Sequence, residues 1–512
     1  MNGIKITSMI VICILILSGT ITISFANTKM MTTNYKDNTN NPTNIINEDQ
    51  RFTLPDKGCY MAHCDPCESD NNLMPVPEGD VGVVWYRGEL PGETIGTLGL
   101  GVSGNKEIAA CTFSGLSDNL VVYGYDGNRL WKSGDLLNLL AGSSAPIIDV
   151  YGRIIACDNK VVIMVDPLDY DQDGKTLEWK TELPNGGLPF SPVITEDGTI
   201  IIATDRGPIY AINSTDGALV SIKYIKPEKP LLTLLRLFGF NVSGFFSTIN
   251  TPCTRNNRVY ISTHYKDITG GFSIFFDARL YALDVDADNP NPDERLKVAW
   301  TRGFGGPSGA SPTLINDTIY FDGDRGEPSI LINPHLYAVQ DMGTYGKLKW
   351  KTAMPTSIDA SIAVDPRGDS VWIVDTVLGR LVRYSTEDGK LLEKINVDKL
   401  VGEPGIHTPS SVITISGTET RPILIVSAMA IPIFQLSTCF VLAIDLANNN
   451  SLLWKVKVSE EISINLRIPL GQYPILMRDN EPRILFAITD GMTPGATRGG
   501  VCAIGNLSST ND

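Results

Sequence analysis

The chain has 512 residues, a formal net charge of −15, 47 glycines, 31 prolines and only 4 histidines. It has no block of Lys and Arg, which excludes nucleic acid as a partner, because phosphate backbones select concentrated positive charge. Short Val/Ile/Leu/Tyr runs between turn residues, with hardly any helical periodicity, read as an all-β chain of two or three domains or one large repeat.

Residues 1–26 read as a signal peptide. Lys5 is the only charge before the apolar run Met9–Leu17, and Ser24-Phe25-Ala26 offers a cleavage point near Ala26. The run is shorter than the ~20 residues a membrane span needs, so an uncleaved anchor is the weaker alternative. The expected location is therefore exported: periplasmic, cell-surface or secreted. Residues 27–57, with TNYKDNTNNPTNIINEDQ, read as a disordered Asn/Thr-rich tether.

Residues 58–79 form a cysteine-containing segment. CYMAHCDPC packs Cys59, His63, Cys64 and Cys67 together, a spacing that zinc tolerates. Haem attachment is excluded, because Cys67 is followed by Glu68 rather than by His. With Cys13 gone in the leader, eight cysteines remain: Cys59, Cys64, Cys67, Cys111, Cys157, Cys253, Cys439 and Cys502. An even number in an exported chain favours disulfides, with the pairing open.

From about residue 80 to 507 the chain repeats itself. TIIIATDRGPIYAINSTDGALVSIKY (199–224) and SVWIVDTVLGRLVRYSTEDGKLLEKI (370–395) share a β run, a turn, a second run, an acidic-Gly turn and a third run. Elsewhere the third run carries a tryptophan: Trp131, Trp179, Trp300, Trp350 and Trp454. Ser221 and Glu393 stand at that position in two copies. The last copy ends before its outer strand, and VGVVWYRG with Trp85 supplies one from the N-terminus, hiding both sheet edges. The expected fold is an all-β, eight-bladed β-propeller of four-stranded antiparallel blades, closed by the strand near Trp85.

YALDVDADNP…LKVAW and YAVQDMGTYGKLKW resemble the repeat of the pyrroloquinoline-quinone (PQQ) propeller family, over about residues 80–506. That resemblance implies that Trp85, Trp131, Trp179, Trp300, Trp350 and Trp454 pack between neighbouring blades. The family includes quinone dehydrogenases, an outer-membrane assembly lipoprotein and many exported proteins. Its dehydrogenases carry adjacent cysteines on the cofactor, a tryptophan floor, a calcium held by acidic and Asn side chains, and an Asp base. This chain has no Cys-Cys pair, and its seventh tryptophan, Trp372, lies in a β run that reads as core. No GxSxG or HExxH occurs, and His264 and His335 fall in expected loops. No catalytic or cofactor-binding residue is assigned, and PQQ is not expected.

In four-stranded blades, second-to-third loops and blade crossovers share one end of the ring. Four long segments belong there: 226–246, 264–276, 323–335 and 428–438. They bring Leu231, Leu234, Leu235, Phe238, Phe240, Phe245, Phe246, Phe275, Ile433 and Phe434 to one face. Such a patch marks a protein partner or a membrane contact, or else the insertions cap one another. On the opposite face, DYDQDG places Asp169, Asp171 and Asp173 as at the start of a calcium loop, although Lys180 stands where a twelfth-position Glu would be. DVDADNPNPDE (284–294) repeats the Asp spacing. The sequence thus points to a non-catalytic protein-binding or surface scaffold, with a divergent PQQ/calcium-dependent oxidoreductase as the alternative.

Overall fold

The computed structural model describes residues 52–88, 100–103, 106–225, 244–248, 250–267, 278–305, 310–323, 334–354, 361–375, 378–409, 412–430, 436–462, 467–490 and 499–507. The expected signal peptide and most of the expected tether lie outside them.

Eight antiparallel sheets form eight blades. Blade 3 shows the plan: strands Pro189–Ile194, Thr199–Thr204, Pro208–Asn213 and Leu219–Tyr224, hydrogen-bonded in that order from the axis outward. TIIIAT is apolar without alternation because both faces of a middle strand are covered by neighbouring blades, and all six residues are buried. The outer strand, LVSIKY, has one covered side and is half-exposed. The ring closes as expected. Val81–Gly88 pairs antiparallel with Gly499–Asn506, in a register running from Val81↔Asn506 to Gly88↔Gly500. The N-terminal strand is thus the outer strand of blade 8.

The outer-strand tryptophans join one blade to the next. The indole Nε1–H of Trp85 donates to Tyr125 O at 2.9 Å, that of Trp179 to Ser214 O at 3.1 Å and that of Trp350 to Thr386 O at 3.1 Å. Trp300 donates to the Asp341 carboxylate at 2.8 Å, and Trp454 to Pro77 O at 2.8 Å. Pro77 takes part because the N-terminal segment replaces the turn that blade 8 lacks. Four of these rings also lie against a glycine of the next blade: Trp85 on Gly127, Trp179 on Gly217, Trp300 on Gly346 and Trp350 on Gly389. A Cβ on Gly217 would stand 2.7 Å from Trp179, and one on Gly389 2.5 Å from Trp350, at φ +72° and +71°. Glycine therefore serves there both for its backbone conformation and for its missing side chain. Trp131 differs. It is only half-buried, packed against the cluster that contains Val122, Ile163 and Val165. Where the repeat lacks tryptophan the bridge persists: Ser221 Oγ–H donates to Pro292 O at 3.5 Å, and Glu393 accepts from Asn450. Trp372 is fully buried core, its indole 3.4 Å from Asp365.

Candidate functional site

The inner strand of every blade has one ladder edge facing the axis, and such backbone groups must find partners. Residues 59–74 supply them for six blades by winding around the inside of the ring. Val102 N–H of blade 1 donates to Cys59 O at 2.8 Å, and Ile148 N–H of blade 2 to Tyr60 O at 2.8 Å. Thr254 N–H of blade 4 donates to Pro66 O at 2.6 Å, and Leu314 N–H of blade 5 to Cys67 O at 2.9 Å. Val364 N–H of blade 6 donates to Ser69 O and Ile415 N–H of blade 7 to Asp70 O, both at 2.8 Å. Blade 8 contributes a side chain: Gln472 Nε2 donates to Met61 O at 2.6 Å and to Leu100 O at 2.8 Å, and its Oε1 accepts from His63 N–H. The cysteine-containing segment is thus an axial plug. The packed chain starts earlier than the expected tether boundary: Phe52 is buried, and Val150 N–H donates to Thr53 O at 2.9 Å.

At the centre of the plug lies a buried polar cluster. His63 Nδ1 faces the Asp70 carboxylate at 3.1 Å, and its Nε2 lies 3.2 Å from Ser311 Oγ and 3.5 Å from Glu68 Oε2. Glu68 is fully buried, and neither of its oxygens has a hydrogen-bond partner among the described residues. Loss of solvent, reinforced by the charges of Asp70 and Asp65, holds its carboxyl well above the usual range. Loss of solvent likewise pushes Asp65 up to about 6, against the hydrogen bonds that Ser69 and Cys67 donate to it.

These shifts carry a sign. A carboxyl raised in the fold contributes stability that is complete below its ordinary value of about 4 and is lost as pH rises through its folded value. Asp65 loses its share around pH 6, and Glu68 at higher pH. Glu68→Gln, which cannot ionise, is expected to gain on the order of 1–3 kcal/mol over the parent at pH 8 and nothing at pH 4, read by thermal unfolding across that range.

The structure changes several readings of the sequence. Cys59 and Cys64 form a disulfide, so two of the four imagined zinc ligands are not thiolates. The other disulfide candidates, Cys67, Cys111, Cys157, Cys253, Cys439 and Cys502, are not joined in disulfides in the structure. Phe246, expected on an exposed apolar face, is buried in the strand Gly244–Ser247. Its ring meets Tyr265 at 6.0 Å and Tyr281 at 5.7 Å. Phe245 lies on the same strand, with its side chain outside the described set. Leu231, Leu234, Leu235, Phe238, Phe240, Phe275, Ile433 and Phe434 also lie outside the described residues. His264 is a buried residue of the strand Arg258–Asp267, and His335 opens the strand His335–Asp341, so neither is a loop histidine.

Asp169, Asp171 and Asp173 do converge, with one carboxylate oxygen from each lying within 4.8 Å of the others in an exposed turn of blade 2. Much of their capacity is taken: Asp169 accepts from Gly174 N–H at 3.0 Å, Asp171 from Asp173 N–H at 3.1 Å, and Asp173 is paired with Lys175. In the second acidic run, Asp284 is held by Arg258 at 2.6 Å.

Sequence reasoning missed Gln472 and Ser311. Neither belongs to a motif, and each acquires its role only when the ring brings it to the axis.

No family model matches the chain, and no curated protein matches it. Solved structures do. The quinohemoprotein alcohol dehydrogenase from Comamonas testosteroni is similar with TM-score 0.57 and 12% identity, over 90% of this chain and 82% of that one. A europium-containing methanol dehydrogenase gives 0.55 and 11%, over 88% and 98%. The Dos1 propeller gives 0.50 and 10%, over 83% and 95%. At such identities the likeness is one of fold: the chain is an eight-bladed β-propeller of four-stranded antiparallel blades.

Proposed function

We propose that this protein is an exported, non-catalytic propeller that presents the long-loop end of its ring to a protein partner. The observation that supports this reading is the plug. Among the described residues it leaves an enclosed axial space of about 10 Å³, bordered by His63, Ser191, Thr251 and Gln472, room for one water. A small-molecule cofactor needs a pocket of roughly 300 Å³ or more, and the described space of that size, about 390 Å³, lies at the turns of blades 4 and 5 beside Arg255, Arg258, Asp284 and Asp341 rather than at the plug. A chain that fills its own axis has turned the ring into a rigid support, leaving recognition to the loops at its ends. Export fits the Cys59–Cys64 disulfide.

The alternative is a divergent quinoprotein oxidoreductase, favoured by the propeller shared with two dehydrogenases. Titration of the calcium-loaded protein with PQQ, followed by absorbance and thermal shift, separates the two. No saturable change is expected, and saturable binding with a stability gain would overturn the scaffold reading. Partner capture should then be compared between the intact chain and one with residues 227–242 replaced by a short linker, which spares the strand at Gly244–Ser247. Retained capture would move the binding face elsewhere, and binding only to vesicles would make it a membrane contact. Calcium at Asp169, Asp171 and Asp173 is a subsidiary proposal, tested by a calcium-dependent rise in melting temperature that Asp171→Asn abolishes.

A further inference from the structure

Two of the cysteines outside the Cys59–Cys64 disulfide, Cys67 and Cys253, adjoin where the plug passes from blade 4 to blade 5. Thr254 N–H donates to Pro66 O at 2.6 Å, so the residues next to Cys253 and Cys67 are joined main chain to main chain. Cys67 Sγ lies 3.8 Å from Thr254 O. Cys67 packs against the buried cluster that contains Cys253, Trp300, Phe304 and Leu314. Cys111, Cys157 and Cys502 each belong to a different packed cluster. Cys253 is fully buried and Cys67 half-buried, so one sulfur is reachable and the other waits behind it.

We propose that Cys67 and Cys253 are oxidised to a second disulfide, which fastens the axial plug covalently to the inner strand of blade 4. The inference stands apart from the proposed function. The oxidant is a disulfide, either oxidised glutathione or the disulfide of a dithiol oxidase. The Cys67 thiolate attacks one of its sulfurs, expels the other as a thiolate and leaves a mixed disulfide on Cys67. The Cys253 thiolate then attacks the Cys67 sulfur and expels the second thiolate. Two electrons pass from the cysteine pair to the oxidant, which leaves as two thiols with the two protons that Cys67 and Cys253 lose. Timing follows from burial. In the seated plug, loss of solvent pushes the Cys67 thiol up to about 12, and burial raises Cys253 well above its ordinary value. Thiolate is then scarce, so the bond forms as the plug closes during folding.

Trypsin makes the test direct, because residues 58–87 form one peptide containing Cys59, Cys64 and Cys67, and residues 237–255 form another containing Cys253. The full chain should be folded in a glutathione redox buffer, denatured in iodoacetamide without reductant, digested and weighed. The expected product is the two peptides joined, separating on reduction. Recovery of 237–255 alone with an alkylated Cys253 would overturn the proposal, whether Cys67 is free or bonded to Cys64. As a second reading, reductant should lower the melting temperature of the parent more than that of Cys253→Ser. Equal shifts would show that the Cys59–Cys64 bond accounts for all the redox sensitivity.

Discussion

Gln472→Ala is expected to cost on the order of 2–6 kcal/mol and to loosen the plug without unmaking the blades. The Gln472 side chain is buried and satisfies three main-chain groups at once: Met61 O, Leu100 O and His63 N–H. Truncation takes the amide away from Leu100 O and His63 N–H in a space that admits at most one water, while Met61 O keeps Cys64 N–H at 3.2 Å. Each buried group left unpaired costs about 1–3 kcal/mol, whereas a surface hydrogen bond would cost little. Because one of the groups belongs to blade 1 and two to the plug, the loss falls on the junction rather than on the core of blade 8. The measurement is thermal or denaturant unfolding together with limited proteolysis. A large loss of stability with new cleavage within residues 52–80 is expected, and an unchanged melting temperature would remove Gln472 from the plug's support.

Trp350→Ala is expected to cost about 3–5 kcal/mol, the range for emptying a buried aromatic site. The ring covers Gly389 of blade 6, and its indole N–H satisfies Thr386 O, so packing and hydrogen bond fail together. Trp350→Phe keeps most of the area and should lose only about 1 kcal/mol for the indole hydrogen bond, since Thr386 O keeps the Tyr320 hydroxyl at 3.3 Å. The reciprocal change, Gly389→Ala, drives a Cβ to 2.5 Å from the same ring at φ +71° and should approach the alanine variant in cost. Trp131→Ala is the internal comparison. Its ring is half-buried, and a loss clearly smaller than that at Trp350 is expected in the same unfolding series.

The fold was legible because a propeller writes its period into the chain. TIIIAT and PIYAIN are apolar on both faces, and the outer strands mark five blades with Trp131, Trp179, Trp300, Trp350 and Trp454. The incomplete last copy called for the strand holding Trp85. The plug was not legible, since its bonds run from main-chain carbonyls that any side chain would leave in place. CYMAHCDPC advertises sulfur and imidazole, while its work on the axis is done by Cys59 O, Tyr60 O and Cys67 O. Phe246 was misplaced because it adjoins an apolar insertion, although GFFS pairs as an edge strand of blade 4. His264 was misplaced because ISTHYK has the polar content of a loop, and its pairing with Ser247 and Ala278 shows that it belongs to a strand.

The order of the plug's acceptors has a consequence for how the ring is built. Cys59, Tyr60, Pro66, Cys67, Ser69 and Asp70 meet blades 1, 2, 4, 5, 6 and 7 in turn, so acceptors and blades leave the ribosome in the same sequence. The first-made stretch can therefore serve as a template, offering each new blade the next carbonyl along and spreading closure over many small steps. The last steps, Gln472 reaching Met61 and Val81–Gly88 pairing with Gly499–Asn506, span most of the chain and must wait for its end. Until then the growing arc carries an open strand edge, the period in which a holding chaperone would matter most.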